Sequence, residues 1–343
     1  MLLYKLKRSE KVSCIFLTTV HKVEVMNKLP GKMKLAAVAA AFGASCFALP
    51  AHADVVATAI LNLKNFKFTN ADGTDVTQGN QITVVQGSNR GDLKADLLSV
   101  AGTSTQTQDG LSHDVLNATG GTFNGTPQLE GAPGRIDNDF SLTPVPVSPV
   151  GSYAYADNIL QGASIAGLNT TYGTHAGTIA EVVLTTNDTG NANSSTGTET
   201  SFKVNLTGIT GTPVNFLVGF DYDAQALAYV SSDTIPVSNA FAQITFGITV
   251  TNENTGDVVT IGGFEALNQQ RSRNAIFDGT ANYSQSGSVS TPFTLLAGNS
   301  YTVTIGQQVQ ASATNNVPEP GTLALLGLGL LGLIASPVVR RRS

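Results

Sequence analysis

The sequence predicts a mainly β protein: an antiparallel sandwich or jelly-roll-like body set between an N-terminal signal peptide and one C-terminal transmembrane helix. Three observations predict the body. Short apolar or alternating runs recur between turn residues Gly, Asn, Asp and Pro, the signature of short paired strands. Charged residues make up only 13% of the 343, about half the usual share, so the polar surface must come from Ser, Thr, Asn, Gln and Gly. Between Asp54 and Asn316 no useful length of chain carries the three-to-four-residue apolar spacing of an amphipathic helix.

Taken in order, Val55–Phe68 begins as an apolar strand and then alternates, and Gln81–Gln86 reads as a short strand. Thr178–Thr186, Ser201–Leu206, Val214–Phe220, Ala226–Ser231, Asp257–Gly262 and Tyr301–Ile305 continue the series. Phe241–Asn252 alternates most regularly, and Ala242, Ile244, Phe246, Ile248 and Val250 are expected to face a core. Two helices are expected, Asp92–Val100 and Tyr153–Ala166. Ser104–Gly110, Gly120–Gly134 and the low-complexity Asn187–Thr198 read as loops. Pro144, Pro146 and Pro149 exclude a central strand at their positions. The expected organisation is residues 1–53 as leader, 54–316 as exported body (strongest over 175–312) and 317–343 as a sorting tail.

Charge is divided along the chain. Residues 1–53 hold eight Lys/Arg and two Asp/Glu, whereas 54–316 hold eight bases and 21 acids. An acidic body argues against nucleic acid as a partner, which requires a basic surface to neutralise phosphates. Both cysteines, Cys14 and Cys46, precede residue 54, so the body has no disulfide, thiolate ligand or cysteine nucleophile.

From Met26, Lys28, Lys32 and Lys34 precede the fifteen-residue apolar run Leu35–Leu49 and then Ala51-His52-Ala53. A basic start, a short apolar core and a small-x-small site make a cleavable signal peptide, with the cut expected after Ala53. Residues 1–25 are out of place ahead of such a signal, and Met26 or Met33 is the expected start of translation.

The opposite end has three parts. Pro318-Glu319-Pro320 is extended, because each proline removes a donor and restricts its predecessor. Thr322–Val339 is an uncharged apolar run of 18 residues, long enough to span a bilayer. Arg340, Arg341 and Arg342 then fix the end on the cytoplasmic side. Extended tripeptide, apolar helix and terminal basic cluster, in that order, resemble the PEP-CTERM sorting signal. The resemblance covers these 27 residues. It implies that Pro318, Glu319 and Pro320 are the recognition motif of exosortase, a membrane-embedded transpeptidase-like enzyme of Gram-negative bacteria, and that cutting near them frees the body from the inner membrane. Gly327-x-Gly329-x-x-Gly332 inside the run matches a dinucleotide fingerprint, but it lacks the flanking strand and the later acidic residue. These glycines are read as small residues that let another helix approach.

The body offers few candidate sites. His113 and His175 lie in Gly/Thr/Ser surroundings and read as surface-loop residues. Asn70-x-Asp72-Gly73-x-Asp75, Asp137-Asn138-Asp139 and Asp221-Tyr222-Asp223 place acids at short spacing. Asp72 and Asp75 are the candidate calcium ligands, since such ions take oxygen donors from loops; turn formation explains the same residues. No catalytic set is present, and no tryptophan offers a stacking platform for sugars. The leading expectation is a non-enzymatic cell-surface or extracellular-matrix protein, processed by exosortase and associated by resemblance with the exopolysaccharide of a biofilm. A polysaccharide-binding module, with or without calcium, is the alternative, and a secreted carbohydrate-active enzyme the third.

Overall fold

The computed structural model describes residues 54–315 apart from 100–101, 115–122, 126–127, 130–138, 146, 148–150, 169–171, 186–189 and 232–237. Fourteen strands are found among them: β1 (Val55–Asn70), β2 (Ile82–Ser99), β3 (Gly102–Asp114), β4 (Phe123–Gly125), β5 (Gln128–Leu129), β6 (Tyr153–Gln161) and β7 (Thr174–Leu184) in the first half. The second half holds β8 (Gly190–Leu206), β9 (Pro213–Val230), β10 (Ser238–Asn252), β11 (Val258–Ile261), β12 (Gln269–Asn274), β13 (Gly279–Leu296) and β14 (Ser300–Asn315). Sheet I has the order β13-β9-β1-β7-β6-β4, with β5 also on β6; sheet II has the order β11-β10-β14-β8-β2-β3, with β12 also on β10. Every ladder between these strands is antiparallel. The N-terminal strands are integral to both sheets, since β1 lies between β9 and β7 and β2 between β8 and β3.

The sheets pack through one continuous apolar cluster, and its composition is graded. Towards one end alanines meet across ladders: Ala57 faces Ala228, Ala59 faces Ala226, Ala240 faces Ala313 and Ala242 faces Ala311. Towards the other end phenylalanines fill the space. Phe220 stacks on Phe66 at 5.4 Å between ring centroids and meets Phe246 of sheet II at 5.3 Å. Phe68 reaches Phe202 of sheet II at 6.0 Å and Phe293 at 5.8 Å. In a chain without tryptophan, these rings supply the large buried areas that join the layers. The alternation expected for β10 is observed: Ala242, Ile244, Phe246, Ile248 and Val250 are all buried.

A second, smaller cluster covers the outer face of sheet I. Residues 139–145 cross this face as a strap. Thr143 fastens it, its N–H donating to Gln225 Oε1 at 2.7 Å while Gln225 Nε2 donates to the Thr143 carbonyl at 3.0 Å. Phe140 sits directly over Gly177, where a Cβ would lie 2.6 Å from the ring, so only glycine admits the strap here.

Several expected elements are corrected. Tyr153–Ala166 is not a helix: Tyr153–Gln161 is strand β6, followed by irregular chain. Its Ala154, Ala156 and Leu160 enter the inter-sheet core while Tyr153, Tyr155 and Ile159 join the outer cluster. Burial on both faces erases the alternation that marks a strand. Asp92–Val100 is likewise not a helix; its described residues continue β2, with Leu93, Ala95 and Leu97 turned to the core. Of the expected loops, Ser104–Gly110 lies within β3, Gly120–Gly134 contains the short β4 and β5, and Asn187–Thr198 contains the first half of β8. Val214–Phe220 and Ala226–Ser231 belong to the single strand β9, apart from Ser231. β12 and β13 have no counterpart among the expected elements: β12 is polar throughout, and the inward side of β13, with Ala281, Tyr283, Val289, Phe293 and Leu295, is interrupted by Gln285, Gly287 and Thr291, with Pro292 on the opposite side.

The first half of β8 escaped detection because its inward residues after Ala192 are Ser194, Thr196 and Thr198. They meet polar partners between the sheets. Asn158 of β6 donates to Thr196 Oγ1 at 3.0 Å and to the Asp92 carbonyl at 3.3 Å, and Ser194 donates to the Tyr155 carbonyl. Gln307 of β14 lies in the same layer beside a cavity of about 30 Å³, only 5% exposed, and neither end of its amide has a partner among the described residues. An unsatisfied buried amide costs about 1–3 kcal/mol. Gln307→Met, similar in size and without that cost, is therefore expected to raise the unfolding free energy by about 1–2 kcal/mol. Denaturant titration of the full chain checks this; a loss of stability would mean that bound water satisfies the amide in solution.

Candidate functional site

Three polar constellations stand out among the described residues. The first arises at the bulge of β1, where register shifts between Lys64 and Lys67 against β9. Asn65 adopts φ 56°, a left-handed conformation that asparagine tolerates. The irregularity presents two donors to two acids: Lys64 Nζ lies 2.7 Å from Asp223 Oδ2, and Asn65 Nδ2 donates to Asp221 Oδ2 at 3.0 Å. Ser286 and Ser288 of β13 donate to the same carboxylates. Asp221 is held below the ordinary carboxylate range first by Ser288 and then by Asn65, and Asp223 first by Lys64 and then by Ser286. The Asp-Tyr-Asp pair thus ties β13, β9 and β1 together.

The second lies under the strap. Glu181, 3% exposed, accepts hydrogen bonds from Thr58 Oγ1 at 3.1 Å, Thr143 Oγ1 at 3.3 Å and the hydroxyl of Tyr153. Asp157, fully buried, accepts from Tyr155 at 3.0 Å. At the end of this face His175 is not the loop residue that its neighbours suggested: it sits in β7, half-buried, with Nε2 2.8 Å from Asn62 Oδ1 and Nδ1 3.3 Å from Gln161 Nε2. His113 lies in β3.

Burial, and then the charge of Lys64, hold His175 below its ordinary value of 6.5. The sign follows. Below that value the unfolded chain takes up a proton that the folded chain refuses, so this contribution to stability is present above pH 6.5 and is lost as the pH falls below it. Urea midpoints at about pH 7.5 and about pH 5.5 are expected to differ less in His175→Gln than in the parent. Asp221 and Asp223 act in a separate window, because their loss begins only as the pH approaches the carboxylate value of 3.8.

The third is a cleft of about 560 Å³ on sheet II. Register sets out its outer face in rows. Arg90, Glu199, Gly306 and Gly247 lie side by side across β2, β8, β14 and β10; Asp92, Gly197, Gln308 and Thr245 form the next row. Lys94 pairs with Ser195 in the row after. Glycines therefore leave bare backbone as a floor, between walls of guanidinium, ammonium, carboxylate, amide and hydroxyl groups. Arg90 is within 3.1 Å of Asp92 and Lys94 within 2.7 Å of Asp96. None of these side chains signals a site in the linear sequence; the cleft exists only once four strands are in register.

The remaining expected sites divide. Asp72 accepts from the Thr74 N–H at 3.0 Å and the Thr74 hydroxyl at 2.6 Å, closing a turn in which Gly73 has φ 84°; the hydroxyl and then the amide of Thr74 lower its pKa. Asp75 lies beside Tyr172, whose hydroxyl donates to the Phe68 carbonyl at 3.1 Å. Burial first, and Asp75 second, raise that phenol well above its ordinary 10.0. The two acids serve separate contacts, and among the described residues no three His, Cys, Asp or Glu converge to hold a metal ion. Asp139 accepts from the Ser141 N–H in the strap, whereas Asp137 and Asn138 lie outside the described residues. Ala51, Ala53, Pro318, Glu319, Pro320, Arg340, Arg341 and Arg342 also lie outside them, as does the expected membrane span 322–339. Among the described residues no helix is long and apolar enough to cross a membrane.

Comparison with known families decides the C-terminal segment. Residues 316–342 match the family model of the PEP-CTERM protein-sorting motif. The chain carries a PEP-CTERM sorting signal. That motif implies export with a membrane-associated C-terminal signal and exosortase as the processing partner. No curated protein and no solved structure matches the chain, so the PEP-CTERM match places the tail in a family and leaves the body to be read from its own geometry.

Proposed function

We propose that this chain is a non-enzymatic protein of the cell surface or extracellular matrix of a Gram-negative bacterium, freed from a transient inner-membrane stage by exosortase and held in the exopolysaccharide of a biofilm. The observation that carries the reading is the sorting motif at residues 316–342. A thiol-free, acidic body suits an oxidising, hydrated exterior. The carboxylates gathered on sheet I are engaged within the fold, Glu181 by three hydroxyls and Asp221 and Asp223 by Lys64, Asn65 and two serines, which favours a structural use for them. Intact mass of the protein recovered from its native host tests the reading through both termini at once. The expected mass begins at Asp54 and ends near Pro318-Glu319-Pro320; a mature C-terminus at Ser343 would overturn exosortase processing.

A further inference from the structure

The cleft on sheet II has a volume of about 560 Å³, and two glycines of that face, Gly306 in its lining and Gly247 beside it on β10, have no structural explanation. Glycine inside a strand weakens it relative to alanine, and usually marks a bulge or a close approach. Gly197 has such a reason: a Cβ there would lie 2.9 Å from the Gln307 carbonyl oxygen of β14. Gly306 and its cross-strand neighbour Gly247 have none. Neither has a left-handed φ, neither lies at a register shift, and a Cβ at either meets nothing within 4 Å. Their effect is on the surface alone. They remove two adjacent side chains from the outer face, and Gly306 together with Gly197 opens the floor between Arg90, Asp92 and Glu199 on one side and Gln308 and Thr245 on the other.

The geometry points to a binding site for an extended neutral polysaccharide lying across β2, β8, β14 and β10. The floor strands β8 and β14 are paired on both sides, so their backbone is unavailable to a peptide adding as a further strand. The walls present donors and acceptors together, as a chain of hydroxyls and ether oxygens requires. Among the described residues they present no exposed apolar side chain for a lipid or an apolar peptide. Of the described residues lining the cleft, two cations, Arg90 and Lys94, balance two anions, Asp92 and Glu199, and each cation is already beside a carboxylate. A balanced cleft in a body with 21 acids and eight bases favours a neutral polymer over an acidic one, which the rest of the body would repel. Four strands at about 4.8 Å spacing give a track of roughly 14 Å, enough for several sugar units. The assignment deepens the matrix reading above and names what the body would hold there.

The test is affinity electrophoresis of the full chain in detergent, and of the processed protein from the host, through gels containing soluble mixed-linkage β-glucan, dextran or galactomannan, with alginate as the acidic comparison. At least one neutral polymer is expected to retard the protein. Gly306→Thr fills the floor while supplying a better strand former; it is expected to weaken that retardation at least tenfold with no fall in melting temperature. Gln308→Ala, which removes a wall amide, is expected to weaken it in the same sense, and Ser288→Ala on sheet I to leave it unchanged. Retardation that persists in Gly306→Thr, retardation by alginate alone, or none by any neutral polymer would overturn the site. Release of reducing ends by the purified protein would instead overturn the non-enzymatic reading and leave the binding site standing, so the two failures are distinguishable.

Discussion

Phe220→Ala is expected to lower the unfolding free energy by about 3–5 kcal/mol, the range for emptying a packed aromatic site. Phe220 is 3% exposed and touches three other rings: Phe66 of its own sheet, Phe246 of the opposite sheet, and Phe264, which follows β11, at 5.9 Å. Its removal deprives both layers of one shared contact, and sheets already hydrogen-bonded within themselves cannot close over the gap. A loss of this size is a large part of the 5–15 kcal/mol that holds an ordinary domain together. Phe293→Ala is the comparison. Phe293 contacts Phe68 and Phe216 but is only partly buried, so its loss is expected to be smaller. Denaturant titration of both variants checks the order, and equal losses would contradict a core graded towards Phe220.

Replacing Pro318, Glu319 and Pro320 together with alanine is expected to abolish C-terminal processing. The substituted segment loses both conformational locks at residues 318 and 320 and the only charge between Asn316 and Val339. The chain should then stay in the membrane fraction with its mass extending to Ser343, while the parent appears outside the cell in shortened form. Release of the triple variant at the parental mass would remove exosortase from the account. The body does not include this segment, so its melting temperature should be the same in both.

Legibility in the sequence followed burial. β10 is exposed on one face and buried on the other, so period-two alternation reports it directly. β6 is buried on both faces and resembles a helix segment; β8 turns Ser194, Thr196 and Thr198 inward and resembles a polar loop. β13, an edge strand without charge, does alternate, but Gln285, Gly287 and Thr291 thin its apolar side and Pro292 disguises it as loop. Turn chemistry was readable at Asp72 because its partner, Thr74, is two residues away. Partners 156 and 159 residues away, as for Asp221 with Asn65 and Asp223 with Lys64, were not. The cleft was hidden for the same reason. Gly197 and Gly306 read singly as punctuation, and only register places them with Arg90, Glu199 and Gln308.

The position of β1 has a consequence in time. It is the first strand of the body in the chain, yet its partners are β7 and β9; Thr58 bonds Glu181 across 123 residues, and the Asp54 N–H reaches the Ser231 hydroxyl across 177. Long closures of this kind slow folding, because the entropy of bringing the ends together is spent before the contacts form. An exported chain benefits from the delay. The centre of sheet I cannot assemble until β9 is available, so on the proposed route β1 would leave the membrane with no partner yet to lock it.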